Sequence, residues 1–294
     1  MGLKKEIFGK LDKIVRQGAI LASNTSFLDI DEIASATSRP EWVVGLHFFS
    51  PANVMRLLEV VRGAKTSKEV VATSMDLGKT IGKVSVLAGV CFGFIANRVM
   101  SKRSLAANDL VLRGPTPQQI DRALFDYGFA MGPFAMVDLV GLDVIGRGSG
   151  ERTLNGDLVA LDRLGQKKNG GYYDYDEKRK ASPSPVAAKV IEDFAAFKGI
   201  ERGLTLSDEE IVGRLLFPVV NEGVKLLEEG VALRASDIDV ALILGYNWPA
   251  FTGGPMHWAD SVGLQKVVDS LRAMGIEPAK TLVERAQQGG ALAK

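Results

Sequence analysis

The chain has 294 residues, 46% of them hydrophobic, enough for two domains with a sizeable core, and disorder is excluded. Its 36 Lys and Arg balance 35 Asp and Glu, so there is no basic surplus to draw nucleic acid or an anionic membrane, and the expected partner is a small molecule or another protein. A single cysteine, Cys91, rules out an internal disulfide framework and a Cys-based metal cluster, and fits a reducing compartment with the cytosol as default.

The opening segment MGLKKEIFGKLDKIV mixes charge with apolar residues, and no run nears the roughly 18 apolar residues of a membrane span. The expectation is therefore neither a secreted nor a spanning chain. Within that segment Leu3, Ile7, Leu11, Ile14 and Val15 recur at helical spacing until Gly18, and Ala19 to Ala22 follows as a strand. Trp42 to Phe49 and Leu57 to Val61 are β-branched or aromatic runs, and a helical pattern from Ser67 to Ile81 leads to a further strand at Val84 to Leu87. This alternation predicts an α/β sheet with helices on its faces over residues 1–89.

Beyond Gly89 the strand signals largely stop, and helical patterns begin at Phe94, so a second, all-α domain is expected. Thr116-Pro117-Gln118-Gln119 has the cap, the first-turn proline and the reaching Gln of a capping box. Gly165 to Ser184 is rich in Gly, Lys, Tyr, Ser and Pro and reads as a linker. It separates two helical blocks, 90–184 and 185–294, that resemble each other. Ile120-Asp121-Arg122-Ala123-Leu124, Gly132-Pro133, Asp138 and Gly141 recur as Ile238-Asp239-Val240-Ala241-Leu242, Gly254-Pro255, Asp260 and Gly263. A tandem duplication of one helical unit is the reading adopted; a coincidence of turn residues is the alternative.

His47 closes an apolar strand, and strand ends are where α/β sheets place ligands. Glu59 stands inside Leu57-Leu58-Glu59-Val60-Val61, where a buried carboxylate needs a partner. If the strands bring the two together, Glu59 fixes one tautomer of His47 and makes it a general base. The two residues alone better describe a satisfied core histidine and a carboxylate facing solvent at a sheet edge, and it is their context that shifts the reading. Asn24-Thr25-Ser26 at another strand end, and Asn97 in the first turn of the first long helix, add polar groups that can converge on one cleft. His257, in the second repeat, reads as structural.

Asn24-Thr25-Ser26, His47-Phe48-Phe49-Ser50-Pro51, Leu58-Glu59-Val60 and Gly93-Phe94-Ile95-Ala96-Asn97-Arg98 resemble, in order and spacing, the signature blocks of L-3-hydroxyacyl-CoA dehydrogenases. Phe-Phe-Ser-Pro followed by Val-Met-Arg-Leu-Leu-Glu is most similar to the dehydrogenase part of multifunctional fatty-acid β-oxidation enzymes of bacterial and peroxisomal type. The resemblance implies a Rossmann-like sheet followed by two tandem C-terminal dehydrogenase units, and NAD-dependent oxidation of L-3-hydroxyacyl-CoA to 3-oxoacyl-CoA. It makes His47 the base, Glu59 its orienting carboxylate, and Ser26 and Asn97 the groups that bind the substrate's oxygens. It assigns cofactor contacts to Lys4, Ser50 and Lys167. Single-unit members pair through the helical unit, so two units in one chain imply a monomer built as an internal pseudo-dimer. The expected compartment is the cytoplasm of a bacterium, with the peroxisome as the alternative.

A dinucleotide site is built on Gly-x-Gly-x-x-Gly with an acidic residue about 20 positions later, and this chain contains no such segment. The resemblance therefore implies that the N-terminal part of the Rossmann domain is missing, that the sheet exposes an edge, and that oxidation by this chain alone is impaired. A fragment of a multifunctional enzyme is the favoured explanation. The others are a complementing N-terminal segment on a second chain, and a non-catalytic acyl-CoA-binding or helical interaction fragment.

Overall fold

The computed structural model describes residues 1–145 and 150–293. They gather into two compact units, one of Met1–Lys102 with Phe217–Lys294 and one of Arg103–Leu216. This spatial division cuts across the three sequence segments 1–89, 90–184 and 185–294, because most of the last helical block packs with the sheet rather than apart from it.

In the first unit the order is α1 (Gly2–Ile14), β1 (Leu21–Ser23), α2 (Ile30–Ala34), β2 (Val43–Phe48), β3 (Leu57–Arg62), α3 (Lys68–Thr80) and β4 (Val84–Gly89). The four strands lie side by side in chain order. The β1–β2 and β3–β4 pairs are parallel and β2–β3 is antiparallel. Val44, Leu46, Leu58, Val60 and Val70 form a core cluster on one face, with Trp42, Phe48 and Met75 packed against it. The alternation of strand side chains puts His47 and Glu59 on the opposite face. Asp29 caps α2 by accepting from the Asp31 and Glu32 amides, and Ser67 caps α3 by accepting from Val70. Beyond β4 the edge is taken up by Val231, whose carbonyl accepts from the Gly89 amide at 2.8 Å. At the other edge β1 pairs only with β2 among the described residues.

The chain continues as α4 (Ala96–Arg113), α5 (Pro117–Tyr127), α6 (Pro133–Val140), α7 (Leu142–Ile145), α8 (Leu154–Ala160), β5 (Tyr173–Tyr175), β6 (Ala181–Pro183) and α9 (Pro185–Phe197). It ends with α10 (Asp208–Glu228), α11 (Ala235–Tyr246), α12 (Pro255–Val262), α13 (Leu264–Ala273) and α14 (Lys280–Gln288). The capping box read at Thr116 forms, with reciprocal bonds to Gln119.

The segment read as a linker is instead a structured part of the second unit. β5 and β6 pair as a hairpin, and Tyr172, Tyr173 and Tyr175 are buried. Tyr173 and Tyr175 donate their hydroxyls to Asp121 and Asp138. Glycine, lysine and proline gave the stretch its loop composition, while three tyrosines supply apolar area, two of them with a polar tip that reaches a buried carboxylate.

The matching residues of segments 120–141 and 238–263 make similar contacts. Asp121 accepts from the amides of Phe134 and Ala135 at the start of α6, at 3.0 and 2.8 Å. Asp239 accepts from Met256 at the start of α12, at 2.7 Å. Burial pushes each of these carboxyls up to about 6, against the lowering pull of the amides. Asp138 accepts from Tyr172 and Tyr173, and Asp260 from Leu292 and Ala293.

The glycine before each proline is required by close approach. A Cβ at Gly132 would stand 2.4 Å from the Asp121 Cα, and one at Gly254 2.4 Å from the Asp239 Cβ. Gly254 also has φ +100, where side chains are strained. Gly132→Ala and Gly254→Ala are each expected to lower stability by about 3 kcal/mol, read as a drop in the urea midpoint at unchanged slope. Loss of less than about 0.5 kcal/mol at both would mean the approach relaxes without cost.

Candidate active site

β2 and β3 place His47 and Glu59 directly across from each other in an antiparallel register. Both are buried, at 4% and 0% exposure, and the His47 Nδ1 lies 2.6 Å from the Glu59 Oε2. The other carboxylate oxygen, Oε1, accepts from the amides of Ile95 at 3.1 Å and Ala96 at 2.8 Å. Glu59 therefore lies at the N-terminus of α4, where unpaired amides and the helix dipole favour negative charge. With both oxygens acting as acceptors, Nδ1 must be the donor, which leaves the lone pair on Nε2. Among the described residues Nε2 has no hydrogen-bond partner.

The chain turns sharply to aim those amides. Gly93 and Phe94 both adopt left-handed φ, +77 and +51, which for phenylalanine is a strained conformation costing on the order of 1–3 kcal/mol. Phe94 is fully buried, and its ring stands 5.7 Å from that of His47. Phe49 packs on the imidazole at 4.5 Å. The imidazole is thus walled by two aromatic rings as well as held by a carboxylate.

Asn97 is the second residue of α4, one step past Ala96, so the helix start that binds Glu59 also positions Asn97. The next residue, Arg98, donates Nε to Glu222 at 2.7 Å and a two-pronged fork to Glu229 at 2.6 and 2.7 Å. The two glutamates hold the guanidinium proton more tightly than usual, Glu229 first, and tie α4 to α10. Burial pushes the Cys91 thiol up, which disfavours its reactive thiolate.

Ser26 lies in the loop after β1 and is half-buried. Two contacts tie that loop to β2 and to the turn before α4. The Asn24 carboxamide oxygen accepts from the Phe48 amide at 2.9 Å, and Phe27 stacks at 5.0 Å on Phe92, in the turn that precedes Asn97.

Lys4, Ser50 and Lys167 are the residues that the resemblance assigns to the cofactor. Lys4 sits on α1 without an ion pair among the described residues, and Ser50 is exposed just past β2. Lys167 belongs to the second unit, where its ammonium pairs with Asp143. His257 is exposed on α12. Tyr246 was not singled out from sequence: its hydroxyl donates to the Asn97 Oδ1 at 2.6 Å. A tyrosine 149 positions from the residue it binds carries no local signal of that role. Among the described residues no helix is long and apolar enough to cross a membrane.

Residues 1–91 match the family model described as the 3-hydroxyacyl-CoA dehydrogenase NAD binding domain, and residues 93–175 and 211–289 match that of the C-terminal domain. A peroxisomal bifunctional enzyme of Danio rerio is 44% identical over 92% of this chain and 41% of its own length. A peroxisomal fatty acid beta-oxidation multifunctional protein of Arabidopsis thaliana is 39% identical over 98% of this chain and 43% of its own. The chain thus spans less than half the length of these curated relatives.

Among solved structures, the dehydrogenase part of multifunctional enzyme 1 from C. elegans superposes with a TM-score of 0.68 at 34% identity, over 96% of this chain and 68% of that one. The 3-hydroxybutyryl-CoA dehydrogenase of Escherichia coli gives a TM-score of 0.77 at 27% identity, over 98% and 79%. The chain belongs to the 3-hydroxyacyl-CoA dehydrogenase family, with a Rossmann-like domain of the type that binds NAD followed by the family's helical C-terminal domain.

Proposed function

We propose that this chain carries the proton-transfer half of an L-3-hydroxyacyl-CoA dehydrogenase site and oxidises L-3-hydroxyacyl-CoA to 3-oxoacyl-CoA in fatty-acid β-oxidation. The observation that carries the reading is the buried His47–Glu59 pair with Nε2 left open. In this reading Nε2 takes the proton of the 3-hydroxyl. Glu59 holds the ring and stabilises the imidazolium that forms. Asn97 and Ser26 hold the substrate's oxygens so that the reacting carbon is fixed, an orientation effect able to supply several kcal/mol. NAD, when bound, supplies the hydride acceptor.

The residues present fit the reacting end of NAD and not its pyrophosphate. The His47–Glu59 pair offers an acceptor for the substrate's hydroxyl proton beside the nicotinamide, whereas the sequence holds no Gly-x-Gly-x-x-Gly to approach phosphates. Lys4, Ser50 and Lys167 remain proposed cofactor contacts on family grounds alone.

The helical part reads as two tandem C-terminal units, residues 90–184 and 185–294. The separate matches at 93–175 and 211–289 and the paired roles of Asp121 with Asp239 and Asp138 with Asp260 support this. A monomer with an internal pseudo-dimer follows from that duplication. Relatives named as peroxisomal favour the peroxisome over the cytosol expected from cysteine count.

The test is calorimetry with acetoacetyl-CoA and with NAD, together with oxidation of L-3-hydroxybutyryl-CoA. Binding of the CoA ester with slow turnover is expected. No heat with either ligand would replace this reading with that of a helical interaction fragment, and binding without any turnover would leave an acyl-CoA-binding fragment.

A further inference from the structure

We propose that Tyr246, delivered by the chain's last helical block, is a positioning residue that sets which end of the Asn97 carboxamide faces the substrate. The inference rests on the dehydrogenase reading above. A carboxamide has an accepting and a donating end of nearly equal shape, and a half-turn of the group exchanges them. The Tyr246 hydroxyl occupies Oδ1 at 2.6 Å, so Nδ2, the donor, is the end left to meet an oxygen of the acyl-CoA.

Tyr246 also reaches the ring that packs on His47. Its ring stands edge-on to Phe49 at 6.2 Å and 75°, and Phe49 is the ring that packs on His47 at 4.5 Å. One side chain thus touches both the substrate-binding amide and the wall of the imidazole.

The backbone is built for this reach. A Cβ at Gly245 would lie 2.7 Å from the Leu57 Cδ2 and 3.3 Å from the Phe49 Cε1, so the last turn of α11 lies directly on β3 and that ring. Asn247 then takes a left-handed conformation, φ 51 and ψ 40, and ends the helix immediately after the tyrosine. A residue with a larger side chain at 245 would lift the phenol away from Asn97. The helical block that sequence presents as a second copy therefore contributes to the site of the first unit.

The experiment is a double-mutant cycle read by calorimetry with acetoacetyl-CoA on the whole chain. Tyr246→Phe removes only the hydroxyl and is expected to weaken binding by about 5- to 10-fold in the unaltered background. In the Asn97→Ala background the same change is expected to shift binding by less than about twofold, because the group it orients is gone. Equal losses in both backgrounds would mean that Tyr246 only supports the fold and would overturn the proposal. Unchanged binding by Tyr246→Phe, with the unaltered protein binding normally, would overturn it alone. Failure of the unaltered protein to bind acetoacetyl-CoA would overturn the dehydrogenase reading and this proposal with it.

Discussion

Replacing His47 with glutamine is expected to cut oxidation of L-3-hydroxybutyryl-CoA by about 10²- to 10⁴-fold, the range a general base contributes, while acetoacetyl-CoA binds within about threefold of normal. Glutamine is close to the imidazole in reach, and its amide can still donate to the Glu59 Oε2, so the buried carboxylate keeps its partner and the fold persists. What glutamine cannot do is take up a proton at neutral pH. The loss should therefore fall on kcat and leave the binding of the 3-oxo product nearly untouched. Turnover above a tenth of the unaltered rate would assign proton removal to another group, and a parallel collapse of binding would make His47 a structural residue.

The contrast between His47 and Tyr246 explains what could be read in advance. His47 and Glu59 are twelve positions apart on neighbouring antiparallel strands, so one register decides their meeting, and an ionisable residue in an apolar run advertises that it has a partner. Ser26 and Asn97 were picked out by their places at a strand end and a helix start, with their roles supplied by the resemblance, and the structure adds the Asn24–Phe48 and Phe27–Phe92 contacts that tie the Ser26 loop to β2 and to the turn before α4. The amide donors of Ile95 and Ala96 were hidden because a backbone group has no sequence signature, and the left-handed turn that aims them includes a phenylalanine, which local rules would not place there.

Tyr246 was hidden for a different reason: its role depends on packing between α11 and β3. The Gly165–Ser184 segment went wrong because composition reports local flexibility and is blind to two tyrosines folding back on Asp121 and Asp138. The four strands of the first sheet were legible, since their apolar runs are short and bounded, and Thr116 announced the start of α5 through chemistry contained in four residues.

Two substitutions at Glu59 separate its two tasks. Glu59→Ala leaves the amides of Ile95 and Ala96 and the Nδ1 of His47 without an acceptor in a site closed to water, and should cost about 3–5 kcal/mol of stability, as removing one partner of a buried pair does. Thermal or urea unfolding would register it before any assay. Glu59→Gln is different. Its carbonyl oxygen can keep both backbone bonds to Ile95 and Ala96, so stability should fall by only about 1 kcal/mol. Its NH2 must then face Nδ1, and two donors cannot share one bond. The imidazole is forced to place its proton on Nε2, the atom that should receive the hydroxyl proton. Turnover is therefore expected to drop by about 10³- to 10⁴-fold in a protein that remains folded and binds acetoacetyl-CoA, as an Asp-to-Asn change does to a catalytic histidine elsewhere. A Glu59→Gln variant that is folded and retains more than a tenth of the activity would show that the tautomer of His47 is set by something other than this carboxylate. The distinction matters because only the second substitution tests chemistry. The carboxylate at the start of α4 fastens the helix and directs the imidazole at once, and a variant that loses both cannot say which of them the reaction requires.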